Sequence, residues 1–300
     1  MQNKLVTVIC LCYNHEKFVT ESLLSVINQD YAFIELIIVD DYSTDNSKNI
    51  IKEWLLNYPE AQFIANETNL GNTKSFNKAL KLANGDYIID LAADDVLVSN
   101  CISLQIEAFN ESIFKNLGIV YGNAELITEN GEFDSYYFPV DHNRKIIQKR
   151  QTGNIYLSVL SGGDSICSVS SMAKKSVYDF LNGYDETLAY EDLDFWIRSS
   201  RLYEFDFIDE VLIKKRISAN SLTTNFYINH TSRFKKINLS TYLVLKKGIK
   251  LNRTKEEDFT VQKRVHHEII HTFKIKDYSL FLKNVGLRFW LFCRTNFKKY

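Results

Sequence analysis

Three short apolar runs, each followed within three residues by polar or acidic residues, constrain the fold of this chain more than any other feature. They are residues 5–12 (LVTVICLC), 34–39 (IELIIV) and 87–91 (YIIDL), and their apolar, β-branched character is typical of buried strands. Between them, apolar side chains recur at helical spacing, and a weaker strand over 61–65 precedes a helix over 73–83. This alternation predicts parallel strands joined by right-handed crossovers, and hence an α/β sheet flanked by helices.

Acidic pairs stand where two of these strands end. Asp40 and Asp41 follow the second run, and Asp94 and Asp95 follow the third. Ligands of open α/β sheets bind at the carboxyl ends of the strands, where two carboxylates suit a hard divalent cation and a phosphate. The chain has neither a G-x-G-x-x-G pattern nor a G-x-x-x-x-G-K-[ST] loop, so a metal would have to neutralise the phosphates. Capping of the following helices by the same acids is the alternative.

The second half of the chain has a less regular pattern. We expect a third acidic pair, Glu191 and Asp192, in the first turn of a helix, where negative charge also suits the helix dipole. The other expected elements are a helix at about 100–116, a short strand over 118–122, a hairpin tip at 130–131, a mobile loop or acceptor-side flap over 134–152, a helix over 154–161, a strand over 166–173 and a helix over 174–181.

Charge and cysteine content narrow the class of protein. Residues 230–300 carry 17 basic and 5 acidic side chains, against 19 and 32 in the first 229 residues. This asymmetry predicts a domain over 1–227 and a basic, mainly helical appendage over 228–300. The five scattered cysteines, interpreted as reduced thiols, indicate a cytoplasmic chain. We expect no signal peptide and no membrane-spanning run.

The appendage mixes basic and apolar residues, most clearly over 278–293, as a helix lying at a membrane surface would. The alternative is a helix packed on the preceding domain or on a second subunit, which would make the protein a homo-oligomer. No recognition motif accompanies the basic residues, so we expect no binding to nucleic acid.

Five segments, in this order along the chain, resemble the successive motifs of family 2 glycosyltransferases. They are 6–14 (VTVICLCYN), 37–45 (IIVDDYSTD), 69–77 (NLGNTKSFN), 85–97 (GDYIIDLAADDVL) and 183–198 (GYDETLAYEDLDFWIR). The resemblance covers about residues 4–225. It implies a GT-A fold, with a mostly parallel nucleotide-binding sheet, and inverting, metal-dependent transfer from a nucleotide-sugar donor.

On the donor side, the resemblance implies that Tyr13 packs against the nucleotide base and that Asp41, with Asp40 behind it, binds the base, usually uracil. The chemistry agrees, because a carboxylate accepts an imide N–H and an aromatic face stacks on the ring. The loop that contains Asn69 would line the nucleotide-sugar. A half-buried strand-end aromatic is the alternative for Tyr13, and a helix N-cap is the alternative for Asp41.

The D-x-D motif of the family corresponds to residues 92–94, where the first acid is replaced by Ala92. The resemblance implies that Asp94 coordinates Mn²⁺ or Mg²⁺ bridging the two phosphates, and Asp95 is the second candidate ligand. Such a metal stabilises negative charge on the departing nucleoside diphosphate.

On the acceptor side, the resemblance implies that Asp192 is the general base, with Glu191 as the second choice. Segment 215–221 is similar to a family segment, usually Arg-x-His, that closes near the diphosphate. Arg216 would pair with phosphate there, unless it is a solvated surface charge, and Ser218 stands where His is common. The Q-x-x-R-W sequence of processive relatives is absent, which indicates one sugar per encounter.

These features together predict an inverting hexosyl- or N-acetylhexosaminyltransferase. Its donor would be a nucleoside-diphosphate sugar, with UDP-sugar preferred, and its acceptor a glycan or lipid-linked saccharide of a surface polysaccharide such as capsule or O-antigen. We place it in the cytoplasm, with peripheral attachment at the inner face of the plasma membrane through the appendage. A non-catalytic GT-A scaffold that binds glycan or partner subunits is the competing hypothesis, because Ala92 and Ser218 depart from the family pattern. A sugar-nucleotide pyrophosphorylase is disfavoured, since its Gly-rich basic N-terminal loop is missing.

Overall fold

A computed structural model describes residues 4–162, 166–217 and 232–297 of the chain. The strands, in chain order, are β1 (Val6–Cys12), β2 (Ile34–Asp40), β3 (Gln62–Ala65), β4 (Tyr87–Ala92), β5 (Val96–Leu97), β6 (Leu117–Ile127), β7 (Phe133–Tyr136), β8 (Met172–Lys174) and β9 (Glu204–Arg216). The helices are α1 (Val19–Ile27), α2 (Ser47–Leu55), α3 (Asn72–Leu80), α4 (Cys101–Glu111), α5 (Tyr156–Ser161), α6 (Lys175–Leu181), α7 (Asp192–Ser200), α8 (Ser232–Leu251), α9 (Lys255–Lys274) and α10 (Tyr278–Phe297).

The chain forms two compact units. Unit 1 consists of Met1–Gly153, Ile166–Tyr184 and Tyr203–Ser218, and unit 2 consists of Asn154–Ser165, Asp185–Leu202 and Ala219–Tyr300.

All the described strands belong to one sheet in unit 1. Its order is β3-β2-β1-β4-β8-β6-β9-β5, and β7 pairs with β6. The first four strands of this order are parallel, as the sequence predicts. The rest of the sheet is mixed, because β8 runs antiparallel to β4 and β6, whereas β6 and β9 run parallel. The fold is therefore α/β with a parallel half that carries the predicted strand-end acids.

The continuous apolar runs are explained by burial on both faces of the sheet. Successive strand residues point to opposite faces, yet Val8, Ile9 and Cys10 of β1 are all fully buried. Helices α1 and α3 both contact β1. All five cysteines of the chain are free, as expected, and four of them are buried. Because apolar side chains fill most positions on both faces, the acidic pairs lie where the strands end.

Two sequence expectations in this unit need correction. The strand expected over 166–173 is wrong in its first part, where Ser168–Ser170 form a 3-10 turn and only Met172–Lys174 pair as a strand. The Ser170 hydroxyl lies 2.8 Å from the carbonyl oxygens of Gly122 and Cys167, and such local bonds compete with a strand ladder. The 13-residue strand β9 is absent from the sequence expectations, because acidic residues interrupt its apolar positions.

The hairpin tip predicted near residues 130–131 is confirmed, since β6 and β7 pair antiparallel on either side of it. Residues 134–152 are only partly a loop. They include part of β7, a bridge between Val140 and Ile146, and a buried Arg150 whose guanidinium lies 4.1 Å from the centre of the Phe138 ring.

Unit 2 is helical and combines α5 and α7 with α8, α9 and α10. The predicted boundary at residue 227 lies outside the described residues. The helices beyond it form one compact unit with two segments that precede it in sequence, so they are not an independent appendage. Within the described part of the chain, no helix combines the length and apolar character needed to cross a membrane.

Buried polar bonds hold unit 2 together. The Tyr156 hydroxyl of α5 donates to Asn252 Oδ1 at 2.8 Å, and Asn252 Nδ2 donates to Asp258 Oδ1 of α9 at 2.8 Å. Asp258 is fully buried, and its other oxygen lies 2.6 Å from Arg294 Nε of α10. Two hydrogen bonds and one ion pair therefore connect three helices in one chain of polar contacts.

Candidate active site

The residues that follow β1, β2 and β4 lie at one edge of the sheet in unit 1. Strand pairing places Cys12 beside Asp40 and Leu11 beside Ala92. Pairing continues past the strand end, because the Asp41 N–H donates to the Cys12 carbonyl at 2.9 Å. The residues predicted to hold the donor nucleotide and its metal therefore emerge side by side.

Asp41 anchors the loop ahead of α3. Its Oδ1 accepts hydrogen bonds from the Leu70 N–H and the Ser75 hydroxyl, each at 2.8 Å, and from Asn66 Nδ2 at 2.9 Å. Its Oδ2 accepts from the Gly71 N–H at 2.8 Å. A carboxylate offers about four acceptor sites, so these bonds use its capacity. A direct bond from Asp41 to a base, as the resemblance implies, would need one of them to open.

The other predicted base-site residues differ in exposure. Tyr13 is 45% exposed, so its ring can stack on a ligand, and Asn69 is exposed on the loop that Asp41 anchors. Asp40 is fully buried, and its Oδ2 accepts from the Ser43 N–H at 3.2 Å. Asp40 therefore supports the turn after β2 from behind, and its role at the base site stays a prediction.

Asp94 presents its carboxylate on the turn after β4. The side chain is 19% exposed, and its Oδ2 lies 3.8 Å from His15 Nε2. His15 Nδ1 is buried and has no hydrogen-bond partner among the described residues. His15 is not among the site residues that the sequence analysis predicts. The missed signal was an imidazole, a common metal and phosphate partner, just past a strand that ends at the site.

Arg216 holds the turn that carries Asp94. Its Nε donates to the Asp94 carbonyl at 3.0 Å, and its Nη1 donates to the carbonyls of Thr128 and Glu129 at 3.1 Å. Its Nη2 donates to the Glu21 carboxylate at 2.6 Å. These bonds occupy most of the five N–H groups of a guanidinium. Arg216 is buried, so the solvated surface charge is wrong, and a direct phosphate contact does not fit this geometry.

Asp95 lies behind the same turn. It is buried, and its Oδ1 accepts from the Arg216 backbone N–H at 2.8 Å. Burial, and then the nearby charge of Asp94, raise the pKa of Asp95 above its ordinary value. Asp95 is buried with one oxygen already bonded to the backbone, whereas Asp94 is partly exposed. The geometry therefore favours Asp94 over Asp95 as a metal ligand.

The metal expectation can be tested against these side chains. Among the described residues, no three or more His, Cys, Asp or Glu side chains lie close enough together to hold a metal ion. Metal sites at nucleotide phosphates commonly use only one or two protein carboxylates, with water and phosphate oxygens completing the shell. The partly exposed Asp94, next to His15, fits a site of that kind.

Glu191 and Asp192 begin helix α7 in unit 2, as predicted. Glu191 is the N-cap residue without a side-chain capping bond, and Asp192 Oδ1 accepts from the Leu193 N–H at 2.7 Å. Both acids are partly exposed. Their negative charge suits the helix N-terminus, and their exposure is what a base that meets an acceptor hydroxyl requires.

The segment around these acids, residues 185–194, is called here the base segment, and an ion network fixes both of its ends. Lys247 of α8 donates to Asp194 Oδ1 at 2.8 Å and also bonds the Asp185 carboxylate. Asp194 is buried, and its other oxygen accepts from Arg198 Nε at 2.6 Å. Burial alone would raise the pKa of Asp185, but hydrogen bonds from Lys247 and Thr187 lower it to about 2.

Helix α8 also holds the middle of the base segment. The Ala189 N–H donates to the Ser240 hydroxyl at 2.8 Å, and the Tyr190 hydroxyl lies 2.7 Å from Thr241 Oγ1. A helix assigned to the appendage therefore positions the predicted base. The sequence interpretation missed this role, because nothing local to residues 240–247 marks it.

A parallel sheet whose strand ends present an exposed aromatic ring and a partly exposed carboxylate has the arrangement in which open α/β sheets bind ligands. The family model for glycosyl transferase family 2 matches residues 7–170, more than half of the chain. The chain belongs to this family, as the sequence motifs indicate.

Individual relatives agree with this assignment. An uncharacterised glycosyltransferase of Methanocaldococcus jannaschii is 32% identical over 251 residues, which is 82% of this chain and 80% of that protein. The structure of S. aureus TarS 1–349 in complex with UDP-GlcNAc matches 96% of this chain and 81% of that one, with a TM-score of 0.70 at 16% identity. Mannosyltransferase PcManGT from Pyrobaculum calidifontis, in complex with GDP-Man and Mn²⁺, matches 97% of this chain and 88% of that one, with a TM-score of 0.58 at 12% identity. These structural likenesses confirm the GT-A fold.

Proposed function

We propose that this glycosyltransferase is an inverting, non-processive enzyme that moves a hexose or N-acetylhexosamine from a UDP-sugar to a glycan or lipid-linked saccharide. The observation that carries the proposal is the partly exposed Asp94 carboxylate at the end of β4, on a turn that the buried Arg216 holds in place. A structural protein has no need of an available carboxylate on so firmly held a turn. A nucleoside-diphosphate sugar has a use for it, through a bridging cation.

On the donor side, Tyr13 stacks on the base and the loop anchored by Asp41 lines the nucleotide. Asp41 accepts four hydrogen bonds that pre-form this loop before the donor arrives, which lowers the entropic cost of ordering it on binding. Support for a UDP-sugar comes from the TarS structure, which contains UDP-GlcNAc.

The donor diphosphate binds with Mn²⁺ or Mg²⁺, and Asp94 is the residue that would hold the ion. The cation supplies positive charge to the departing diphosphate. His15 lies beside Asp94, where its imidazole can contact a phosphate oxygen or the ion. The Mn²⁺ in the PcManGT complex supports a divalent cation at the donor diphosphate.

On the acceptor side, Asp192 acts as the general base and Glu191 is the second candidate. Asp192 accepts the proton of the acceptor hydroxyl while the oxygen forms a bond to the anomeric carbon. The bond from that carbon to the diphosphate oxygen breaks, and UDP leaves with the electron pair, so the configuration inverts. A base in this role contributes about 10²–10⁴-fold to the rate.

The first test measures UDP binding by calorimetry with and without Mn²⁺. We expect Mn²⁺ to strengthen UDP binding to the native chain, and Asp94→Asn to remove this effect. Asp86→Asn is the matched control, since Asp86 precedes the same strand and pairs with Lys4 at 2.9 Å, away from the strand's carboxyl end. Failure of the native chain to bind any nucleoside diphosphate would disprove the donor site.

A second test separates the enzyme from a binding scaffold. Sugar transfer or donor hydrolysis is followed by mass spectrometry across a panel of UDP-sugars. Asp192→Asn should retain Mn²⁺-dependent UDP binding and lose about 10²–10⁴-fold in turnover. The non-catalytic scaffold would be favoured if the native chain binds UDP but turns over no donor, and if Asp192→Asn behaves in the same way.

A further inference from the structure

Helix α10 exposes an apolar stripe along its outer side. Leu282 is 66% exposed, Phe289 is 68% exposed, and Val285 and Phe292 are also exposed. Their spacing of three and four residues places them on one face of the helix. The buried residues of the same helix, Leu280, Asn284, Leu291 and Thr295, lie on a different face. The stripe is therefore a surface in addition to the packing face of α10.

Aromatic residues extend this surface at one end. Phe273, at the end of α9, is exposed and packs against Tyr278 and Phe281 of α10, with ring centres 6.3 Å and 5.6 Å apart. We call this set the α10 apolar face: Phe273, Tyr278, Phe281, Leu282, Val285, Phe289 and Phe292. Its continuous aromatic and aliphatic surface is unusual for a single helix exposed to water.

Positive charge borders the apolar face. Lys283 and Arg288 are exposed on α10, and Arg288 bonds His266 of α9, which holds its side chain in place. At helical spacing, Lys283 and Arg288 fall on opposite sides of the stripe. Lys274 and Lys276 are exposed next to its Phe273 end. None of residues 278–297 is acidic, and Asp277 is the one partly exposed acid next to Lys276, so the border is mainly positive.

We propose that the α10 apolar face docks unit 2 on the surface of a bilayer that contains anionic lipid. Apolar side chains flanked by Lys and Arg match the boundary between acyl chains and anionic headgroups. The opposite side of α10 stays packed on α9, so the helix binds from the surface with the rest of the unit in water. The inference concerns unit 2 alone and does not depend on the donor site.

Charge favours a bilayer over a second copy of the chain. A two-fold contact uses the same patch on both copies. It would bring Lys283 and Arg288 close to the same residues of the other copy, with no acidic residue in α10 to compensate. Anionic headgroups supply the missing negative charge.

Vesicle flotation with the full chain tests this docking. Vesicles of phosphatidylcholine, with and without phosphatidylglycerol, are compared at low and high salt. We expect binding to vesicles with phosphatidylglycerol, weaker binding to phosphatidylcholine alone, and a decrease at high salt, because salt screens the lipid charge.

Two variants assign the binding to this face. Leu282→Ser/Phe289→Ser should lower the vesicle affinity about tenfold or more, because it removes two inserting side chains. Lys283→Glu/Arg288→Glu should remove the preference for anionic lipid. The matched control is Ile113→Ser, which removes an 88% exposed side chain from unit 1 and should bind as the native chain does. Melting curves should coincide for the control and the double-serine variant, since all three side chains are exposed.

Three results would overturn the proposal. The first is no binding of the native chain to anionic vesicles. The second is equal vesicle binding by the native chain and the double-serine variant. The third is a lipid-free dimer, detected by light scattering, that the double-serine variant converts to a monomer, which would assign the face to a second copy.

Discussion

Removal of the Lys247 ammonium should loosen the base segment and slow sugar transfer while leaving donor binding intact. Lys247 bonds both Asp185 and Asp194, at the two ends of the segment that contains Asp192. In Lys247→Met, Asp194 keeps Arg198, and Asp185 keeps only its bonds from Thr187. Methionine preserves most of the volume of the lysine stem, so the loss is mainly one of charge.

The magnitude follows from burial. A hydrogen bond to a charged group contributes about 1.5–3 kcal/mol. Asp194 is 1% exposed, so its bond to Lys247 should contribute an energy within that range. Lys247 and Asp185 are 33% and 22% exposed, so solvent weakens the ion pair between them. We therefore expect a local loss of stability of about 2 kcal/mol, which corresponds to an about 30-fold larger equilibrium constant for opening of the base segment.

Hydrogen–deuterium exchange of peptides from residues 185–200 measures this opening, and turnover in the transfer assay measures its effect on the base. Lys247→Arg should restore both, because it returns the positive charge. Lys250→Met is the matched control, since Lys250 lies exposed on the same helix. UDP binding should be equal in all variants.

Acid sensitivity gives an independent check on the same pair. The pKa of Asp185 is about 2 in the folded chain, below its ordinary value, so the unfolded chain binds more protons between about pH 4 and pH 2. The stability from this group is present above pH 4 and is lost as pH falls through 2. Lys247→Met should lose less stability over that interval than the native chain. If Lys247→Met equals the Lys250→Met control in exchange, turnover and acid sensitivity, the positioning role of Lys247 is refuted.

Three further perturbations test other parts of unit 1. Asp41→Ala removes the acceptor of the buried Asn66 and Ser75 side chains, where an unsatisfied group costs about 1–3 kcal/mol, and it should raise exchange in residues 66–75. Burial raises the pKa of Asp90 to about 7, so between about pH 4 and pH 7 the folded chain binds more protons than the unfolded chain. The free energy of unfolding therefore decreases as the pH rises through this interval. Asp90→Asn should therefore be more stable than the native chain at pH 8, by at most about 4 kcal/mol in urea unfolding, with no such gain at pH 4. Arg216→Met removes the bond to the Asp94 carbonyl and should weaken Mn²⁺-dependent UDP binding in calorimetry without changing the pH dependence of turnover.

Local pattern was enough to predict the parallel half of the sheet. Strands β1, β2 and β4 read as continuous apolar runs because both faces of each are covered, and this signal needs no distant partner. Strand β9 could not be predicted in the same way. Its acidic and apolar residues mix, and it becomes a strand by pairing with β6 and β5.

In the candidate site too, local pattern predicts the positions of the residues but not their hydrogen-bond partners. The positions of Asp41 and Asp94 at the strand ends follow from where the apolar runs stop. Their hydrogen bonds do not, because Asp41 is bonded by a loop about thirty residues further on, and the partner of the Asp94 turn is Arg216, 122 residues away. A sequence gives no register for such contacts until the sheet has formed.

The sequence by itself determined the family, the parallel sheet, the strand-end acids and the acidic start of α7. Each of these follows from a short motif or from the spacing of apolar residues over a few positions. Only the tertiary structure decided how those acids are used. It buries Asp40, Asp95 and Arg216 as supports and leaves Asp94 partly exposed. It also joins α8 to the base segment through Lys247, 53 residues from Asp194. The physical reason is that burial and hydrogen-bond partners depend on packing between distant segments, whereas periodicity depends only on neighbours.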